Sequence, residues 1–107
     1  MKPLPEKFRA YHSSGGLMEG PARSDVLGWF QLWPVDELEY WNEQYRVAEF
    51  APSLFGFGSN GGGDMLAFDA EGQILLVDFI GMEIEYAELV ASSWDEFERI
   101  ISAESRA

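Results

Sequence analysis

The stretch Met65-Leu66-Ala67-Phe68-Asp69-Ala70-Glu71-Gly72-Gln73-Ile74-Leu75-Leu76-Val77-Asp78-Phe79-Ile80 decides how this chain folds. Leu66 and Phe68 fall two residues apart, on one face of a strand. Asp69-Ala70-Glu71-Gly72 has the length and residue types of a hairpin connection, with a glycine available for a positive φ. Ile74 to Ile80 is apolar at odd and even positions alike, so both of its faces need cover. A hairpin whose second strand is covered on both sides predicts that strand to be central in an antiparallel sheet.

Upstream, Leu54-Phe55-Gly56-Phe57 reads as a short strand, and Gly58-Ser59-Asn60-Gly61-Gly62-Gly63 as the turn after it. Val26 to Trp33 is β-branched and aromatic, which predicts a strand that Pro34 ends. Val35 to Tyr45 has helical spacing. Leu38, Trp41 and Tyr45 share one face, and Asp36, Glu39 and Glu43 share another. Arg46 to Pro52 reads as a connection and Leu17 to Asp25 as a loop. Leu4 to His12 predicts a short helix with Pro5 in its first turn, ended by Ser13-Ser14-Gly15-Gly16.

Downstream, Met82 to Glu88 has no clear period. Leu89-Val90-Ala91 predicts a last short strand. Ser93 and Glu96 have the spacing of a capping box, and Trp94, Phe97 and Ile101 form the apolar stripe of a closing helix. Helices therefore lead and trail a run of antiparallel strands, which predicts a single α+β domain over residues 1–107.

Composition narrows the function. The chain has 107 residues, 19 acidic against 7 basic, and a net charge of −12. Phosphate backbones are gripped by clustered Lys and Arg, so direct binding to nucleic acid is not expected. Anionic membrane surfaces are disfavoured for the same reason. The acidity is uneven: residues 1–34 sum to +1 and residues 35–107 to −13. Aromatic residues make up 15% of the chain, far more than an acidic disordered tail carries. Cysteine is absent, which excludes disulfides, thiol nucleophiles and Cys-ligated metals. The N-terminal residues lack a signal-peptide h-region, and no apolar run is long enough to cross a bilayer. A soluble, cytoplasmic protein is expected.

Catalytic motifs are missing. Gly63 is followed by Asp64 and Met65 rather than Lys-Ser/Thr, so the glycine run is not a P-loop. Gly56-Phe57-Gly58-Ser59-Asn60-Gly61 has the letters of a dinucleotide fingerprint, but a strand rather than a helix is expected after it. A nest of backbone amides that binds an anion is the remaining ligand reading of that loop. Asp64, Asp69 and Glu71 lie close together without the EF-hand pattern, and turn chemistry accounts for them better than a metal. The lone histidine, His12, sits near a helix end where the dipole favours a cation. It has no visible nucleophile or orienting partner. Ser92 and Ser93 read as a helix cap. Trp29, Trp33, Trp41 and Trp94 fall on predicted elements and read first as core. One or two could serve an interface, where Trp and Tyr concentrate binding energy. No cofactor and no metal are expected.

Four stretches, taken in order, resemble the SUKH superfamily, which contains the fungal Smi/Knr cell-wall-synthesis regulators and many bacterial immunity proteins. They are Gly28-Trp29-Phe30-Gln31-Leu32-Trp33-Pro34-Val35-Asp36-Glu37-Leu38; Phe57 to Gly63 followed by Ala67-Phe68-Asp69; Phe79-Ile80-Gly81-Met82; and Ala91-Ser92-Ser93-Trp94-Asp95-Glu96-Phe97. Leu4-Pro5 before Phe8, with Gly15-Gly16 after it, is similar to the family's early Leu-Pro helix and glycine turn. Ser14 stands where that turn commonly has Asn. The resemblance implies a mixed, mostly antiparallel sheet flanked by short helices, and a non-catalytic protein-binding module. It further implies an antidote that binds and neutralises a cognate bacterial toxin, with nucleases and nucleic-acid deaminases among the targets. A basic toxin surface would be matched by the acidic side chains Asp36, Glu39, Glu43, Asp64, Glu83 and Glu85, with Asn60 of the glycine loop beside them. The alternatives are a regulatory scaffold of the cell-wall type and a small-ligand-binding domain that uses the glycine loop and the aromatics.

Overall fold

Six strands run as a meander, each hydrogen-bonded to the next in chain order: β1 (Glu19–Pro21), β2 (Trp29–Leu32), β3 (Phe55–Ser59), β4 (Asp64–Phe68), β5 (Ile74–Asp78) and β6 (Glu88–Ala91). Every pairing is antiparallel. Four helices accompany them: α1 (Glu6–Ser13), α2 (Leu38–Gln44), α3 (Val47–Phe50) and α4 (Trp94–Ile101). The structure, a computed structural model, describes residues 5–101, and these counts are of those residues. The α+β class read from the sequence holds, and the sheet contains no parallel pair among the described strands. Leu4, the expected first residue of the leading helix, lies outside the described range.

Both faces of the sheet are covered. On the first, Phe30, Phe57, Leu66, Phe68, Ile74 and Leu76 pack against Phe8 of α1 and against Trp94, Phe97 and Ile101 of α4. On the second, Met65, Ala67 and Val77 pack against Val47, Ala51, Leu54 and Met82, with Trp33, Tyr45 and Phe79 closing over them. The pattern of Ile74–Asp78 foretold this. Ile74 and Leu76 serve the first core, while Leu75 and Val77 serve the second. Phe57 stacks on Phe68 at 4.5 Å and meets the edge of Phe97 at 5.7 Å. Each such aromatic pair adds ~1 kcal/mol beyond the area it buries.

The elements differ from the sequence reading where glycine and short-range geometry decide. The segment Leu17 to Asp25 contains β1, because Gly20 pairs with Phe30 across the sheet edge. Three residues with a glycine and a proline carry no strand signal of their own. Val35 to Glu37 is a 3₁₀ turn, and α2 begins only at Leu38. The connection from Arg46 to Pro52 contains α3, started by Arg46 in the left-handed conformation at φ 58°. β3 continues through Gly58 and Ser59, which the sequence assigned to the loop. Gly58 is needed there, since a Cβ would run into the Gln31 carbonyl of β2. The strand expected from Val26 to Trp33 forms only over Trp29–Leu32. Ile84 to Tyr86, in the segment without a period, forms a second 3₁₀ turn.

The closing helix is capped nearly as its spacing predicts. The Ser93 hydroxyl accepts from the Glu96 amide at 3.2 Å. Glu96 reaches back one residue further than in the standard box, accepting from the Ser92 amide at 2.9 Å.

Candidate partner-binding surface

The β3–β4 turn shapes one end of the sheet. Asn60 holds it: its Oδ1 accepts from the amides of Gly62 and Asp64, and its Nδ2 donates to the Asp64 carboxylate at 3.0 Å. The Gly61 amide donates to Ser59 Oγ. Three amides of the loop are thus occupied internally, and a carboxylate stands beside them, so the loop is poorly suited to hold an anion. Gly61 has φ +80°, and a Cβ there would lie 2.8 Å from the Trp29 ring, which leans on the loop. The turn after β4 is built the same way: Asp69 Oδ1 accepts from the amides of Glu71 and Gln73. Among the described residues, no three acidic or histidine side chains converge as a metal site would require.

Asp64 opens β4 and Asp78 closes β5, and the two are register partners, directly opposite each other. Glu88 opens β6 opposite Leu76. Side chains alternate along a strand, so Asp64, Asp78 and Glu88 share the face of Leu76, beyond the part that α1 and α4 cover. Together with Ile80, Glu83 and Tyr86 they line a cleft of about 400 Å³. Like charges directly opposite across a sheet are unfavourable. Asn60 relieves Asp64, and Asp78 accepts from the Ile80 amide at 2.8 Å. None of the basic side chains in the described range lines the cleft.

The seven residues selected from the sequence do not form one site. Asp64 and Glu83 meet in this cleft. Glu83 and Glu85 also border a smaller groove with Phe50 and Ile84. Glu39 and Glu43 line a separate open groove of about 1020 Å³, shared with Arg46, Glu49, Leu54 and Phe55. Asp36 is exposed on the 3₁₀ turn before α2 and lines none of these cavities. Asn60 is committed to its own loop. Asp78 and Glu88 are cleft residues that the sequence reading passed over. Strand register was the signal that would have found them: a hairpin centred on Glu71 puts Asp78 opposite Asp64.

The tryptophans divide. Trp94 is buried and its Nε1 donates to Glu98. Trp33 and Trp41 are half-buried in an aromatic group with Tyr45 and Phe79, and the Tyr45 and Phe79 rings stack at 4.3 Å. Trp29 is the exposed one. Asn42, inside that region, was not singled out from sequence. It clasps β3 by accepting from the Gly56 amide and donating to the Gly56 carbonyl, both at 2.8 Å. His12 lies in the last turn of α1, where the dipole favours a cation, but its ring lies 4.5 Å from that of Phe8 and burial works the other way, pushing its pKa below the usual histidine value.

The meander with helices on both faces defines a small α+β domain. The family comparison agrees: residues 2–99 match the SMI1 / KNR4 family (SUKH-1), and the chain belongs to that family. No curated protein gives a significant match. Members of SUKH-1 are generally non-catalytic and commonly serve as toxin immunity proteins. Among the described residues, no helix is long and apolar enough to cross a membrane.

Proposed function

We propose that this protein is an immunity protein that binds a cognate bacterial toxin and neutralises it by occlusion. One observation supports the reading above the others. Asp64 and Asp78 stand opposite each other without an intervening base, flanked by Glu83 and Glu88 and by the exposed side chains of Ile80 and Tyr86. A surface that concentrates like charge beside uncovered apolar area is stabilised when a cationic, partly apolar partner covers it. Nuclease toxins carry such basic surfaces because they hold phosphate. Occlusion requires no chemistry from the antidote, in keeping with a family that is generally non-catalytic.

The test is co-expression with the toxin domain encoded beside this gene. Protection of the host cell and co-purification of the two chains are the expected results. A toxin that kills equally with and without this protein, and that fails to co-purify with it, would overturn the assignment.

A further inference from the structure

The segment between β5 and β6 leaves an unusual amount of apolar surface uncovered. Ile80 is 88% exposed, Tyr86 76%, Leu89 52% and Ile84 47%. Large apolar side chains left exposed within one short segment are candidates for a contact site. The same segment leads into β6, which pairs with β5 on one side and with no strand among the described residues on the other. The opposite sheet edge, β1, is three residues long and ends in Pro21, which cannot donate to a ladder. β6 carries neither Pro nor Lys, two common protections of a free edge.

We propose that β6 is a docking edge: it takes an extended segment of a partner protein as a seventh strand, and that segment alternates cationic with apolar side chains. This deepens, and rests on, the reading of the chain as a partner-binding module. Glu88 shares the face of Leu76 and the cleft, whereas Leu89 pairs with Leu75 on the opposite face. A strand laid against β6 presents alternate residues to these two sides. Arg or Lys suits the side of Glu88, Asp78 and Asp64, and an apolar residue suits the side of Leu89. The charge also selects against self-association. A second copy would bring the same carboxylates, on a chain of net charge −12, up to the first set. In this mode the main chain supplies affinity and the alternate side chains supply specificity.

The probe is a short peptide of alternating arginine and valine, compared with the same peptide N-methylated along one edge. Methylation keeps charge and side chains but removes the donors that a ladder needs. The readout is amide NMR of the full 107-residue protein. Shifts concentrated between Asp78 and Ala91 are expected. Binding should weaken about tenfold on methylation and about threefold in Glu88→Gln. Equal binding of the two peptides, or shifts centred on Glu39 and Glu43, would overturn the proposal. The peptide leaves the protein unaltered, so misfolding cannot explain a negative result. If the peptide docks at β6 while the protein fails to neutralise the toxin encoded beside it, the immunity reading falls and the docking edge stands. If protection holds but the peptide perturbs another region, the docking edge falls and the immunity reading stands.

Discussion

Two acidic regions were legible as candidate contact surfaces, and they are physically unlike. The α2 region presents Asp36, Glu39 and Glu43 from a short helix and the turn before it, all exposed to solvent. Water and salt screen such charges at short range, and Arg46 shares the groove of Glu39 and Glu43, 2.8 Å from Glu49. At the β5–β6 end, carboxylates are held opposite one another at strand spacing, around a cleft without a base and beside Ile80 and Tyr86. Charge number is similar in the two places. What separates them is convergence and uncovered apolar area, and these concentrate binding energy where surface charge alone mostly tunes encounter rates.

The largest expected effect tests how firmly the α2 region is fixed. Asn42→Ala removes the clasp on Gly56 and leaves that residue's amide and carbonyl without their partner beneath α2. A loss of about 3 kcal/mol is expected, or roughly 15 °C in melting temperature for a chain of this size. Asp78→Asn at the other end should cost nothing. The amide oxygen still accepts from Ile80, and the like-charge pair with Asp64 disappears. Urea titration of both variants checks the contrast. A loss below about 1 kcal/mol in Asn42→Ala would mean that α2 is held by its aromatic packing instead.

The next prediction ranks the two regions by function. With the cognate toxin as ligand, Asp78→Asn combined with Glu88→Gln should weaken binding about thirtyfold, by an amount that shrinks as salt is raised. Glu39→Gln combined with Glu43→Gln should weaken it about threefold, mostly through the association rate. Surface plasmon resonance at low and high salt separates the rate terms. A reversed ranking would move the contact surface to α2 and return weight to the charge pattern that first drew attention to that helix.

How much of this could be read from sequence follows from the range of the interactions involved. Met65–Phe68 and Ile74–Val77 are apolar on both faces, a local pattern, so the hairpin and its central strand were legible from the side chains alone. The closing helix was legible too, because Ser93, Glu96 and the Trp94–Phe97–Ile101 stripe are spaced by helix geometry. β1 was not, since Glu19-Gly20-Pro21 becomes a strand only through β2. The site was half legible. Asp64 and Glu83 were chosen for charge, but Asp78 and Glu88 become their neighbours only through register across three strands. Helix spacing made Asp36, Glu39 and Glu43 conspicuous because a helix puts its charges in view within a few residues. Sheet neighbours lie many residues apart, so a sheet-borne site is the harder one to see.

The smallest effect separates stability from binding. Burial lowers the pKa of His12 below its ordinary 6.5, so the unfolded chain takes up a proton that the folded chain refuses. The unfolded state then binds more protons, and stability rises with pH through that window. The stabilisation is fully present above pH 6.5 and is lost as pH falls toward the lowered folded value. The ring is only partly buried, so water screens the effect and the slope is shallow. His12→Gln should flatten this slope between about pH 7.5 and 5.5. His12 lines neither the α2 groove nor the β5–β6 cleft, so toxin affinity in the same window should be equal in the variant and the parent. A variant whose affinity loses a pH dependence that the parent shows would instead couple α1 to the contact surface. That would break the separation between the helix-covered part of this face and its uncovered acidic end.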